Sequence, residues 1–160
     1  MTERTGHYTL ARDEGDAVWF LGTLVTIKAD RAQTGNALTI AELTLPPGFA
    51  PPPHIHHMED EAFYILEGTA TGVCGEEGWE AAPGSFIWLP RGVAHGFTVS
   101  QDGPLRVFQI TTPAGFDGFV RQVGEPATSR TLPPPSPPDV ERLNAAAAKL
   151  GIEHLPPPQR

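Results

Sequence analysis

Residues 48–68 read Gly48-Phe-Ala-Pro-Pro-Pro-His54-Ile-His56-His-Met-Glu-Asp-Glu61-Ala-Phe-Tyr-Ile-Leu-Glu-Gly68, and this stretch decides how the rest of the chain is read. In extended backbone successive side chains alternate between faces, so His54 and His56 point one way while Ile55 and His57 point the other. The prolines at 51–53 remove backbone donors and stiffen the approach to the first imidazole. Glu61 opens the next strand pattern, where its carboxylate can reach the same site. Downstream, Gly84-Ser-Phe-Ile-Trp-Leu-Pro90-Arg-Gly92-Val-Ala-His95 delivers a third imidazole at the start of a further strand. Three neutral imidazoles and one carboxylate suit a divalent first-row metal, and nickel, manganese, iron, copper, cobalt and zinc all accept that set. Four ligands leave one or two positions open in five- or six-coordinate geometry, which is the mark of a catalytic or substrate-binding ion.

Outward from this segment the chain reads as short strands between turns. Residues 17–29 form one strand pattern, with Trp19, Leu21, Val25 and Ile27 on a common face. Residues 37–45 form a second, stopped by Pro46-Pro47-Gly48. Residues 61–74 read as one long strand in which Gly68 and Gly72 mark bulges or bends. Strands at 85–89, 94–100 and 105–112 follow. Many short strands at regular spacing indicate an all-β sandwich or barrel. The expected organisation is an N-terminal arm (1–15), a β-barrel (16–124), a Pro-rich linker (125–138), and a C-terminal helix and tail (139–160). Ser136 is the expected N-cap, Pro137 the first helical residue and Gly151 the stop.

Composition narrows the function classes. The chain has 160 residues, with 11 Lys plus Arg against 19 Asp plus Glu for a net charge of −8, too acidic to grip a phosphate backbone, so nucleic acid is not an expected partner. One cysteine excludes an intrachain disulfide and fits a reducing, cytoplasmic setting. No signal-peptide pattern opens the sequence and no apolar run suits a bilayer, so a membrane partner is not expected either. Cys74 reads as a small buried hydrophobe. His7 and His154, in terminal segments, read as solvated, and His57 as a surface residue.

The two His-bearing stretches resemble the two motifs of the cupin superfamily. Gly48, His54, His56, Glu61 and Gly68 meet the first motif, and Gly84, Pro90, Gly92 and His95 meet the second. Val99 stands where the second motif usually ends in Asn, a position that is not a metal ligand. The resemblance implies a double-stranded β-helix of the jelly-roll kind, a homodimer, and one metal ion held by His54, His56, Glu61 and His95 inside the barrel. More narrowly, residues 51–68 and 110–119 look like bacterial monocupins described as quercetin 2,3-dioxygenase-like. In that group a flavonol's 3-hydroxyl binds the metal, the Glu interacts with its proton, and O2 inserts with ring opening and loss of carbon monoxide.

The expected function is therefore a metal-dependent dioxygenase acting on a flavonol-like or other small enolisable or aromatic substrate, with O2 as co-substrate and Glu61 as general base. By strand parity Phe63 and Ile65 follow Glu61, and Phe97 and Val99 follow His95, so these four are expected to form the substrate pocket. Two alternatives stay open: a non-catalytic metal-dependent small-ligand-binding module, and a non-oxidative isomerase or lyase. The last would want a cation in the barrel, and Arg106 is the one strand arginine that could turn inward.

Overall fold

The computed structural model describes residues 6–156, and among them the chain folds into two antiparallel sheets, a jelly roll of the cupin type. The larger sheet contains β1 (Asp16–Phe20), β2 (Thr23–Ala29), β3 (Thr39–Leu45), β5 (Asp60–Glu67), β8 (Phe86–Leu89), β10 (Leu105–Thr112) and the short β11 (Glu125–Pro126). Its order is β11-β1-β2-β3-β10-β5-β8. The smaller contains β4 (His54–His56), β6 (Ala70–Cys74), β7 (Glu77–Ala81), β9 (His95–Val99) and β12 (Ile152–His154), in the order β12-β4-β9-β6-β7. Strict alternation drives this architecture. In β3 and β10 every second residue is buried, and Leu43 faces Val107 in register, as Leu45 faces Leu105. Each such side chain removed from water contributes about 1.5–3 kcal/mol.

Three sequence expectations are corrected. Residues 17–29 are two strands: Leu21 and Gly22, with φ of 50° and 78°, make a two-residue hairpin between paired Phe20 and Thr23. Both central residues lie in the left-handed region that such tight turns require, and Leu gives no turn signal. Val18 and Phe20, and not Trp19 and Leu21, are therefore the buried residues of β1 and its turn. Residues 61–74 are also two strands, in different sheets. At Gly68, φ 83°, the chain leaves one sheet for the other, and a Cβ there would collide with the Pro104 carbonyl.

The third correction concerns the ends. The helix after the Pro-rich segment, α2 (Val140–Leu150), is capped by Asp139, whose carboxylate accepts from the Arg142 N–H at 2.9 Å; Ser136 and Pro137 lie outside it. Gly151, φ 70°, closes it in a left-handed C-cap. A helix absent from the sequence reading, α1 (Phe116–Val123), packs Phe116, Phe119 and Val120 into the core. Its i, i+3, i+4 spacing is helical, but eight residues flanked by Gly115 and Gly124 gave no cap signal. No helix among the described residues is long and apolar enough to cross a membrane. Residues 1–5 of the expected arm and 157–160 of the expected tail lie outside the described residues.

Candidate metal centre and cavity

His54 and His56 occupy alternate positions of β4, and their strand pairs with β9 so that His54 sits directly across from His95. Glu61 comes from the other sheet, on β5, opposite Thr111 of β10 and Leu89 of β8. One ligand atom from each of His54, His56, Glu61 and His95 lies within 4.8 Å of all the others. The turn around Pro90 is held to the first motif by the Arg91 N–H donating to Asp60 at 2.9 Å and the Gly92 N–H donating to the His56 carbonyl at 2.8 Å. Those bonds lock the third imidazole against the other two.

Each imidazole is oriented by its Nδ1. His54 Nδ1 is 2.8 Å from the Pro52 carbonyl, His95 Nδ1 is 3.2 Å from the Val93 carbonyl, and His56 Nδ1 is 2.8 Å from a Glu59 carboxylate oxygen. An acceptor at Nδ1 places the proton there and leaves the Nε2 lone pair for the centre. Glu61 is oriented in the same manner: Gln109 Nε2 donates to its Oε1 at 2.7 Å, leaving Oε2 3.1 Å from His56 Nε2 and 3.4 Å from His95 Nε2. Glu61 Oε2 and His95 Nε2 are buried and have no hydrogen-bond partner among the described residues. Buried polar atoms without partners are costly, and a cation among four donors would satisfy them together. The donor set and its geometry fit a divalent metal.

The electrostatics agree with two carboxylates serving one imidazole. Burial opposes charge on His56, but Glu59 and Glu61 outweigh it and raise its pKa to about 10, so a metal at the centre would displace the proton from its Nε2. Burial lowers His54 to about 4. Burial would raise Glu61, but contacts with His56 and His95 overcome it and hold the carboxyl well below its ordinary range. Burial raises Glu59, against the pull of His56.

Above the cluster is a cavity of about 120 Å³. Phe63 and Phe97 line it, whereas Ile65 and Val99, also expected there, are buried in the core and do not line it. Arg106 is bound to Glu42 at 2.8 Å and to Glu67, and among the described residues no Lys or Arg lines the cavity. His154 corrects the expectation of a solvated tail. It lies on β12 beside β4, in register with His54, and lines the cavity with its ring 6.2 Å from that of His54. His57 is exposed and meets Glu153 at 2.7 Å. Cys74 is half-buried, and burial pushes its thiol pKa up, away from nucleophilic character.

Sequence reasoning missed Glu59 and Gln109 as well as His154. Gln109 was accessible from parity, since it shares the inward face of β10 with Val107 and Thr111; Glu59 lies in a turn where parity says nothing. Glu59→Gln should weaken metal binding by about 10–100-fold while leaving the four ligands in place. A competition titration against a chromogenic chelator measures this, and an unchanged affinity would mean that Glu59 does not orient His56.

Comparison with known proteins gives a family and relatives. Residues 41–111 match the family model described as Cupin domain, which supports the cupin superfamily. The chain is 26% identical over 150 residues to quercetin 2,3-dioxygenase of Bacillus subtilis, an alignment that covers 92% of this chain and 44% of that protein. The chain thus spans about half the length of the curated relatives it matches. Among solved structures it resembles KdgF from Halomonas sp., with TM-score 0.60 and 19% identity over 71% of this chain and 99% of that one. It also resembles the polyketide cyclase RemF from Streptomyces resistomycificus, with TM-score 0.56 and 25% identity over 67% of this chain and 80% of that one.

Proposed function

From a cupin domain at residues 41–111 built around three imidazoles and one carboxylate, we infer that this chain is a metal-dependent dioxygenase for a small enolisable or aromatic substrate. The observation that carries this reading is the convergence of Nε2 lone pairs and an unpartnered Glu61 oxygen at the floor of an apolar cavity. His54, His56, Glu61 and His95 would hold the ion. When bound, it supplies a Lewis acid that lowers the pKa of a substrate hydroxyl and an open position beside it. Glu61, fixed by Gln109 at one oxygen, receives the hydroxyl proton. Phe63 and Phe97 exclude water and contact the ring. The distant likeness to a quercetin 2,3-dioxygenase supports oxygenase chemistry.

A second, non-oxidative reading is favoured by one observation, the likeness to a polyketide cyclase. Oxygen consumption separates the two. The protein reconstituted with each of the six metals in turn should consume O2 with at least one enolisable substrate; conversion without O2 uptake would favour the non-oxidative reading, and neither would favour a binding module.

The expected homodimer remains a proposal, supported by Tyr64, Phe86 and Trp88, which stand exposed side by side on the outer face of β5 and β8. An apolar surface of this kind favours a second copy. Light scattering should give twice the chain mass, and Trp88→Glu should return it to one.

A further inference from the structure

The size of the cavity and the C-terminal origin of part of its wall define the substrate more narrowly, an inference that rests on the enolisable-substrate reading above. An apolar cavity of roughly 150 Å³ accepts one benzene ring. The cavity here is about 120 Å³, so a single ring is the most it encloses, far short of the three of a flavonol. Its lining is mostly apolar, and its polar groups are His54, His56, Glu61, Gln109, Thr23 and His154. Among the described residues no Lys or Arg lines the cavity, so a phosphoryl group would find no such partner beyond the cluster itself.

Leu143 of α2 with Ile152 and His154 of β12 form the C-terminal part of the cavity wall. It is fastened at several points. β12 pairs with β4 through Ile152 and His56, Glu153 and Ile55, and His154 and His54. The His57 N–H donates to the Gly151 carbonyl at 2.9 Å, and the Leu155 N–H to the Pro53 carbonyl at 2.8 Å. Ala146 and Ala147 bury the inner face of α2, and its Leu150 side chain leaves no room for a Cβ at Gly115. The strand that carries two of the four imidazoles is therefore the strand that holds this part of the wall in place.

We propose that this site takes a single-ring enol or phenol, that Leu143 and Ile152 exclude a fused or appended second ring, and that His154, beside His54, meets a polar substituent of that ring. Maltol (3-hydroxy-2-methyl-4-pyranone) and 3-hydroxyflavone present the same hydroxy-pyranone edge and differ in the added rings. In calorimetric titrations of the metal-loaded protein without O2, maltol should bind at least tenfold more tightly than 3-hydroxyflavone. Leu143→Ala should narrow that gap by tenfold or more, and Leu143→Phe, which fills the cavity, should weaken maltol by a similar factor.

Equal affinities, tighter binding of the flavone, or no binding of either compound overturns the proposal, and so does a gap unchanged in both variants. If Leu143→Ala does not fold, Leu143→Phe and the wild-type gap decide it. Oxygen uptake is read separately: tight maltol binding with no turnover of any enol keeps the single-ring site and removes the oxygenase reading.

Discussion

His56→Ala should leave the purified protein with less than a tenth of the metal found in the wild type, and should also lower its stability when both are stripped of metal. The two effects have separate causes. The first is loss of one of four donors, beyond the roughly 10–100-fold that an outer partner costs. The second arises because His56 sits between two buried carboxylates, 2.8 Å from Glu59 and 3.1 Å from Glu61. Removing the imidazole leaves both facing an apolar interior, and breaking a buried ionic pair costs about 3–5 kcal/mol before the carboxyls relieve it by taking up protons. A loss of about 3 kcal/mol corresponds to a fall of roughly 6–12 °C in Tm for a chain of this size.

His54→Ala provides the contrast. Its ring is held by a backbone carbonyl, and burial depresses its pKa, so its removal strands no carboxylate. That variant should lose metal to the same degree and stability by only about 1 kcal/mol, the worth of one hydrogen bond. Elemental analysis and thermal denaturation of the metal-stripped proteins give both numbers. Wild-type metal content in either variant would remove the ion from the centre of this account.

The sequence was legible where two side chains share a periodic element. Parity alone aligned His54 with His56, and Phe63 with Glu61, because backbone alternation is independent of what surrounds the strand. Convergence of the two motifs needed the resemblance to a known family, since nothing local brings His95 to face His54 across a strand pair. What stayed hidden was decided by tertiary placement. Glu59 belongs to no strand, and its reach to His56 depends on the turn between β4 and β5. His154 looked like tail because β12 is only three residues long and has no partner in its own neighbourhood; β4 is about a hundred residues earlier in the sequence. Ile65 and Val99 were correctly turned inward, but parity assigns a face and not a depth along the barrel, and both lie in the packed core.

Glu61→Gln is expected to have the largest effect on turnover, because one residue is asked for two roles. The substitution keeps shape and volume, and the new amide oxygen can still accept from Gln109, so the barrel should fold, with a Tm drop smaller than that of His56→Ala because Glu59 still pairs with His56. Its amide nitrogen would face His56 and His95 where a carboxylate oxygen now stands 3.1 and 3.4 Å away, and would neither donate a lone pair to a cation nor accept a proton. Metal affinity should therefore fall. With metal supplied in large excess to restore occupancy, enol turnover should still be reduced by about 10²–10⁴-fold, the usual contribution of a positioned general base. The excess-metal arm is decisive, since it separates the two roles: recovery to more than a tenth of wild-type turnover would leave Glu61 a ligand only and move proton transfer to another group. The other carboxylate nearby, Glu59, is unsuited to replace it, being bound to His56 on the side away from the cavity and absent from its lining.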